Sequence, residues 1–339
     1  MNHKLQKTAV VLILLLVVEG FSRWQLHRMF NQPYTWSVSA PYLRYGIQRS
    51  NILGARSMVF GGSTVCPDTL RLEYQGNQII SVFCDPCEAL PKPCFNAAAP
   101  ALTIVDSWYL YDTFSGLETL EYVFFLNGIN DARSNNIPKE QYNQDYRHIQ
   151  FYDEAAIIFG HPELSFWSTP TLIHLAINRM KGKTYLPMEN LQKLNSEDKG
   201  HFLKNGKEVK TIETFSNKMK AIVDCAEKRN HRLIVGTFPY YHPENYTLES
   251  FIARELDYKE SIFMTEMYGN PKDVVTAIEA HNDVLRNMAA TSTGWVLLDI
   301  DSIIPKKGEY FNDICHLASD GCSLLNHSLA RSLKHEELK

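Results

Sequence analysis

Short apolar segments that alternate with amphipathic ones constrain the fold of this chain more than any other feature. The apolar segments have the length of strands, and they are residues 58–60 (MVF), 122–126 (YVFFL), 232–238 (RLIVGTF) and 296–300 (VLLDI), with a weaker one at 94–97. The amphipathic segments have apolar residues at helical spacing, and they are residues 101–117, 211–229, 273–290 and 317–333. This alternation predicts an α/β fold, in which helices cover both faces of a parallel sheet.

The turns after the apolar segments hold the candidate site residues, because ligands of parallel sheets bind beyond the carboxyl ends of the strands. Four turns carry polar or glycine-rich sequences, and they are 61–64 (GGST), 96–101 (NAAAPA), 127–131 (NGIND) and 313–317 (DICHL). Each alone is compatible with an ordinary turn, and Asp313 with a helix N-cap. Their joint occurrence, each at a strand end or at the start of the final helix, favours a single site.

Ser63, His316 and Asp313 are the residue types that serine-dependent acyl transfer requires. A serine hydroxyl is a weak nucleophile that needs an adjacent base, and histidine is suited to that role near neutral pH. A carboxylate holds the imidazole in the correct tautomer. The oxyanion needs positioned donors, which we expect from the N–H of Ser63, the side-chain amide of Asn130 and a backbone N–H near Ala101.

Residues 57–335 resemble the SGNH hydrolase superfamily of GDSL-like lipases and esterases. Residues 61–64 resemble its first block, in a Gly-Gly-Ser form. Residues 128–131 match its Gly-x-Asn-Asp block, and residues 313–316 match its Asp-x-x-His block. Ala101 stands where the family usually has a glycine whose N–H points into the oxyanion hole.

The resemblance implies a three-layer α/β/α flavodoxin-like domain and a metal-independent hydrolysis of acyl esters without a cofactor. It implies that Ser63 is the nucleophile, that His316 is the base and that Asp313 orients the base. Asn130 and Ala101 are then oxyanion donors together with Ser63. The glycine-rich turn lacks the Gly-x-x-x-x-Gly-Lys pattern of a phosphate loop, so no nucleotide is expected.

Five further residues lie near these motifs. Gly62 and Gly128 belong to the motif turns, and we predict that they line the pocket. Tyr240 and His242 follow an apolar segment and are predicted pocket residues as well, although a rigid turn with surface aromatics explains them equally well. Asp131 is expected to hydrogen-bond its own turn and not to react.

The N-terminal segment, residues 1–24, is predicted to be a signal anchor or transmembrane segment. Lys4 and Lys7 precede the apolar run 9–18 (AVVLILLLVV). This run is shorter than the roughly 20 residues of a full bilayer span, and it fits a short anchor or the core of a signal peptide. We expect an uncleaved anchor, because the run is followed by a weak cleavage site. A removed signal peptide and a buried helix are the alternatives.

The anchor predicts that the rest of the chain is extracytoplasmic, in the periplasm or on the cell exterior. Residues 25–55 are predicted to be a lead-in linker, and residues 56–335 the hydrolase domain. Residues 135–210 do not fit the strand–helix alternation, and we predict that they form an insertion over the carboxyl edge of the sheet.

Seven cysteines are distributed unevenly, with a cluster formed by Cys66, Cys84, Cys87 and Cys94. Export permits disulfides, so one or two disulfides that pin a loop are expected here. A zinc site is less favoured, because no second pair of cysteines or histidines follows at matching spacing. Cys315 is expected to be a small packed residue and not a nucleophile.

Composition and charge exclude one class of partner. The formal net charge is −4 and the basic residues are scattered, which argues against nucleic acid. The expected function is a serine-dependent esterase that cleaves an acyl ester of a cell-surface carbohydrate or lipid. Two alternatives remain open: an O-acyltransferase for envelope polysaccharide with the same triad, and a non-catalytic envelope binding protein. The sequence carries no signature of an oligomeric state.

Overall fold

The structure is a computed structural model, and it describes residues 3–29, 52–66, 69–74, 77–82, 84–136, 138–144, 146, 169, 173, 186–187 and 205–336. The chain divides into two compact units, which are residues 1–53 with 147–184 and residues 54–146 with 185–339. Most of the predicted linker (25–55) and most of the predicted insertion (135–210) lie outside the described residues.

The larger unit contains the parallel sheet that the sequence predicts. The strands of the larger unit, which belong to two sheets, are β1 (Ser57–Gly61), β2 (Thr69–Tyr74), β3 (Asn77–Val82), β4 (Cys94–Asn96), β5 (Tyr122–Leu126), β6 (Leu186–Pro187), β7 (Arg232–Gly236) and β8 (Trp295–Leu298). The main sheet has the order β4-β1-β5-β7-β8, and each neighbouring pair is parallel. Every residue of β1 and β5 is buried, which explains their continuous apolar sequences.

The helices begin and end close to the predicted bounds. They are α1 (His3–Met29) in the smaller unit, and α2 (Ile104–Phe114), α3 (Ile129–Arg133), α4 (Ile212–Arg229), α5 (Leu248–Ile252), α6 (Pro271–Thr291), α7 (Ile300–Ile303) and α8 (Ser319–Glu336) in the larger one. Helix α2 begins three residues later than predicted, because Thr103 and Asp106 form a capping box at its start. Residues 101–103 therefore remain in the turn after β4, beside the candidate site.

A second, three-stranded sheet was not predicted. Strands β2 and β3 pair antiparallel, and β2 also pairs parallel with the short strand β6. The segment therefore departs from the strand–helix alternation of the main sheet, and it follows the turn that carries Ser63.

Two disulfides involve the predicted cysteine cluster. Cys87 pairs with Cys94 inside the cluster, which pins the loop before β4. Cys84 pairs with Cys322 of α8, 238 residues further along the chain. This second bridge therefore ties the loop after β3 to the helix that follows the Asp313–His316 turn.

The smaller unit contains α1, whose described apolar side chains are largely exposed. Val10, Val11, Phe21, Trp24 and residues 13–18 belong to this exposed set. In the described part of the chain, no helix combines the length and hydropathy that crossing a membrane requires.

Polar contacts in the smaller unit occur near the end of the apolar run of α1. Glu19 and Arg23 form a buried ion pair, 2.9 Å between Oε1 and Nε. The other carboxylate oxygen of Glu19 accepts hydrogen bonds from the N–H and the hydroxyl of Thr169, so residues distant in sequence meet here.

Candidate active site

Ser63 lies immediately beyond the carboxyl end of β1, in a short 3-10 turn that spans Ser63–Val65. Its Oγ is 2.7 Å from Nε2 of His316, which is a residue 253 positions away in the sequence. Ser63 is partly exposed, whereas His316 is almost completely buried. The candidate base is therefore held within hydrogen-bond distance of the hydroxyl.

Two glycines let backbone segments approach closely around Ser63. A Cβ at Gly62 would lie 2.6 Å from Nδ2 of Asn130, and a Cβ at Gly128 would lie 2.5 Å from the ring of Phe238. Any other residue would push these segments apart. Gly62 therefore allows the turn that carries Ser63 to lie against Asn130, and its place in a pocket stays a prediction.

Asp313 and His316 face each other within one turn. Nδ1 of His316 is 2.8 Å from Oδ2 and 2.9 Å from Oδ1 of Asp313. Because the carboxylate accepts the proton of Nδ1, the neutral imidazole presents Nε2 to Ser63 as an acceptor. This order of contacts, hydroxyl to imidazole to carboxylate, is that of a Ser-His-Asp triad.

The turn is closed by backbone contacts and does not begin a helix. Phe311 and Leu317 form an antiparallel bridge, and the N–H of Asn312 donates to the carbonyl of His316. Helix α8 begins only at Ser319. Asp313 is therefore not the N-cap of α8, which removes the alternative interpretation of the Asp-x-x-His pattern.

Backbone donors hold the carboxylate of Asp313 in place. Oδ1 accepts from the N–H of Cys315 at 3.0 Å and from that of His316 at 2.9 Å. Oδ2 accepts from the N–H of Phe263 at 3.2 Å. Phe263 belongs to a segment without any motif, so the sequence provided no signal for this contact.

Asn130 lies in the first turn of α3 and is 4% exposed. Its Nδ2 donates to the carbonyl oxygen of Leu102 at 3.0 Å, in the turn after β4. An amide nitrogen carries two hydrogens, so this contact orients the group and occupies one donor. The close approach to Gly62 places the amide beside the nucleophile turn, where an oxyanion donor is needed.

Ala101 adopts a left-handed backbone conformation with φ of 63°. This region favours glycine, which is the residue that the resemblance leads one to expect here. The local geometry of the turn is therefore preserved although the residue type is not. A backbone N–H remains at this position, since alanine removes no backbone donor.

Asp131 links the start of α3 to the start of α2 beside the candidate site. Its carboxylate accepts from the N–H of Ile104, the first residue of α2, at 3.1 Å. Burial raises the pKa of Asp131 well above its usual range, although the hydrogen bond from Ile104 opposes this shift. Asp131 was expected to hydrogen-bond its own turn, but its carboxylate instead ties that turn to α2 and so joins the segments that carry Asn130 and Leu102.

Tyr240 and His242 are not brought into contact with the triad. The hydroxyl of Tyr240 donates to Glu279, and the ring of His242 packs on Tyr246 with centroids 4.6 Å apart. The N–H of Tyr241 donates to the carbonyl of Ile314, so the segment does run beside the triad turn. Among the described residues, no hydrogen bond or ring contact joins Tyr240 or His242 to the triad, and their place in a pocket stays a prediction.

Cys315 is packed behind the triad. Its Sγ is 3.4 Å from Nδ1 of His316 and 3.6 Å from the hydroxyl of Tyr268. Burial raises the pKa of the Cys315 thiol well above its usual range, with the charge of Asp313 as a further cause. The thiol therefore stays protonated, which agrees with the expectation of a packed, unreactive residue.

The described residues contain one group whose ligand atoms are close enough to hold a cation. Asp313, Cys315 and His316 have these atoms within 4.8 Å of one another. The carboxylate and the imidazole are hydrogen-bonded to each other, and a metal would need the thiol as a thiolate. The donor set therefore suits a proton relay better than a metal site.

Comparisons with known proteins find neither a matching family model nor a matching curated protein. Among solved structures, a GDSL-like lipase from Bacteroides thetaiotaomicron is 11% identical, with a TM-score of 0.42, over 88% of this chain and 99% of that chain. A lipase/acylhydrolase from Enterococcus faecalis is 13% identical, with a TM-score of 0.38, over 83% and 96%. The acetylxylan esterase Axe2 from Geobacillus stearothermophilus is 11% identical, with a TM-score of 0.33, over 83% and 94%. Similarities at this level do not define an activity, which depends on the site itself.

Proposed function

We propose that this chain is a serine-dependent esterase of the SGNH type that cleaves an acyl ester through an acyl-Ser63 intermediate. The observation that carries the proposal is the unbroken contact from Ser63 Oγ to His316 Nε2 at 2.7 Å and from His316 Nδ1 to Asp313 at 2.8 Å. These distances fit a nucleophile, its base and the carboxylate that orients the base.

In the first half-reaction, the proton of the Ser63 hydroxyl passes to Nε2 of His316 while Oγ bonds to the ester carbonyl carbon. The carbonyl oxygen becomes an oxyanion, which the N–H groups of Ser63 and Ala101 and the amide of Asn130 stabilise. The bond from the acyl carbon to the alcohol oxygen then breaks, and His316 gives its proton to the departing alcohol.

In the second half-reaction, water replaces the alcohol. His316 takes a proton from water as the water oxygen bonds to the acyl carbon. The bond between the acyl carbon and Ser63 Oγ breaks, and His316 returns the proton to Oγ. The products are a carboxylic acid and the regenerated serine, and no cofactor is consumed.

The proposed substrate is an acyl ester of a carbohydrate or a lipid at the cell surface, and the proposed location is extracytoplasmic, with residues 1–24 as a membrane anchor. The apolar run 9–18 behind Lys4 and Lys7 supports the anchor. The two disulfides support an oxidising compartment.

A second candidate is acyl transfer to a hydroxyl of an envelope polysaccharide by the same triad. The burial of His316, which is 1% exposed, favours this candidate because a base that is shielded from bulk water suits a bound acceptor. A non-catalytic binding role is less well supported, since the distance from Ser63 to His316 is already that of a hydrogen bond.

The first test is covalent labelling of the full-length chain with a fluorophosphonate probe, followed by peptide mapping. We expect labelling at Ser63, none in Ser63→Ala, and unchanged labelling in Ser323→Ala, which alters an exposed serine of α8. A folded wild-type protein that neither reacts with the probe nor cleaves short acyl esters would instead support the binding role.

The products formed from the acyl-enzyme distinguish hydrolysis from transfer. Wild-type protein is supplied with an acetyl ester in the presence and absence of a soluble oligosaccharide, and free acetate and acetylated sugar are measured. Acetate that is independent of the sugar supports an esterase, whereas acetylated sugar formed at the expense of acetate supports a transferase.

A further inference from the structure

Phe263 lies in the loop between α5 and α6, which runs beside the triad turn. The N–H of Ile262 donates to the carbonyl of Asn312 at 3.3 Å, and the N–H of Phe263 donates to Oδ2 of Asp313 at 3.2 Å. The loop therefore follows the backbone of the turn at the point where the triad carboxylate is held.

The position of this loop is fixed on both sides of Phe263. The hydroxyl of Tyr258 donates to the carbonyl of Tyr241 at 2.7 Å, and the N–H of Thr265 donates to the hydroxyl of Tyr246 at 3.0 Å. Tyr258, Ile262 and Met264 are buried. These contacts make the loop a packed part of the larger unit and give Phe263 a defined position.

The ring of Phe263 packs against the base of the triad. The centroids of the Phe263 and His316 rings are 5.2 Å apart, and their planes are inclined by 47°. His316 is 1% exposed, whereas Phe263 is only partly buried. Phe263 therefore covers part of the imidazole and still presents apolar surface beside it.

The proposed chemistry decides which part of an ester would meet this surface. His316 returns its proton to the departing alcohol, so the alcohol oxygen has to lie next to Nε2. The carbonyl oxygen has to lie next to the oxyanion donors instead, near Asn130 and Gly62. A ring that packs on the imidazole is consequently a neighbour of the group that protonates the departing alcohol.

We infer that Phe263 is a specificity-determining residue for the alcohol portion of the ester, and this inference rests on the proposed esterase function. The ring offers a flat apolar surface, which suits an alcohol with a ring or with an apolar C–H face. The hydrogen bond to Asp313 comes from the main chain of Phe263 and persists when the side chain is changed. Variants of the ring therefore test specificity without removing the donor to the triad acid.

The experiment uses two series of esters with full-length wild-type protein, Phe263→Leu and Phe263→Ala. One series varies the alcohol of an acetate ester: ethyl, cyclohexylmethyl, benzyl and a 6-O-acetylated methyl pyranoside. The other varies the acyl group of a benzyl ester: acetyl, butyryl and hexanoyl. The control variant is Phe215→Leu, which alters a buried ring that stacks on His281.

We expect Phe263→Leu to lower kcat/KM for the ring-containing alcohols relative to the ethyl ester by about 3- to 10-fold, the size of a lost aromatic contact. The ratios within the acyl series should stay unchanged, and Phe215→Leu should change neither set of ratios. The sizes of the losses for the pyranoside, cyclohexylmethyl and benzyl esters then show whether the ring of Phe263 favours a sugar, an aliphatic ring or an aromatic ring in the alcohol.

Two results would overturn the inference. One is a change in the acyl series with an unchanged alcohol series, and the other is an equal loss for all esters in both Phe263 variants. Failure of the proposed function looks different, since a wild-type protein inert to every ester and unlabelled at Ser63 removes the esterase together with this inference.

Discussion

Ala101 is a non-glycine residue in a backbone conformation that favours glycine. Its φ of 63° lies in the left-handed region, where a Cβ costs roughly 1–2 kcal/mol. Neighbouring contacts hold the turn, because the N–H of Ala99 donates to Gly61 and that of Leu102 donates to Ala99. The strain thus occurs in the turn after β4, where the proposed function requires a donor for the oxyanion.

Substitutions at Ala101 should separate backbone strain from loss of the donor. Ala101→Gly keeps the N–H and relieves the strain, so we expect equal or higher esterase activity and a stability change within about 1 kcal/mol. Ala101→Val keeps the N–H but adds a branched side chain, and it should lose activity and about 1–2 kcal/mol of stability. Urea unfolding and ester kinetics measure both effects, and a valine variant as active and stable as wild type would contradict this account.

His281 is a buried residue whose charge state links stability to pH. It is completely buried, its Nε2 is 2.7 Å from the hydroxyl of Thr211, and its ring stacks on Phe215. Burial lowers the pKa of His281 from 6.5 to about 3. The folded protein therefore keeps this imidazole neutral where the unfolded chain would protonate it.

Acid should consequently destabilise the fold through His281. Its contribution is fully present above pH 6.5 and is lost as the pH falls from 6.5 towards 3, with a slope of up to about 1.4 kcal/mol per pH unit. His281→Gln should flatten this part of the stability–pH curve, whereas His327→Gln, at an exposed position on α8, should not. Urea unfolding at several pH values provides the curves, and identical slopes for wild type and His281→Gln would refute the assignment.

At the scale of elements, the sequence indicated that the turns after β1 and β5 and the turn before α8 belong to one site. It did not indicate that the loop that carries Phe263 belongs there as well. Parallel strands bring their carboxyl ends to one edge, so polar residues after separate strands could be assigned to one site. The contact between Phe263 and Asp313 comes from a main-chain N–H, which any residue but proline carries. Such contacts depend on how a loop packs and leave no pattern in the sequence.

The start of α2 and the β2–β3 pair show where local patterns fail. Apolar spacing continues through residues 101–103, but the capping box of Thr103 and Asp106 starts the helix after them. The antiparallel pair β2–β3 has six residues in each strand and lies outside the parallel sheet. Elements that depend on a cap or on one partner strand are weakly encoded in hydrophobic periodicity.

The two disulfides join cysteines that lie at very different separations in the sequence. Cys84–Cys322 closes a separation of 238 residues, whereas Cys87–Cys94 closes one of 7 residues. In the chain-entropy description, the longer loop restricts the unfolded chain more strongly. The bridge to α8 should therefore contribute more to stability than the bridge inside the cysteine cluster.

Paired substitutions test this difference. Cys84→Ser with Cys322→Ser should cost about 2–5 kcal/mol, and Cys87→Ser with Cys94→Ser should cost less. Urea unfolding of both double variants gives the comparison, and non-reducing peptide mapping of wild type checks the pairing. A larger loss for the Cys87–Cys94 pair would contradict the loop-length argument.

At the scale of the whole molecule, the α/β fold class and the meeting of Ser63, His316 and Asp313 were predictable, while the cysteine pairing and the division into units were not. Four clustered cysteines permit several pairings, and the partner of Cys84 lies on α8, outside the cluster. In the smaller unit, the hydroxyl of Thr169 donates to the carboxylate of Glu19, a contact that the sequence did not indicate. The predicted placement of residues 135–210 over the sheet edge stays a prediction, because most of them lie outside the described residues.

The separation between Ser63 and His316 has a consequence for synthesis. Ser63 and His316 are 253 residues apart in the chain, so the proposed nucleophile is made long before its proposed base. A nascent or truncated chain that lacks the Asp313–His316 turn carries a serine without a base, which is a poor nucleophile. If the proposed function holds, the chain therefore gains its reactivity only when its late segment has been made and folded against its early one.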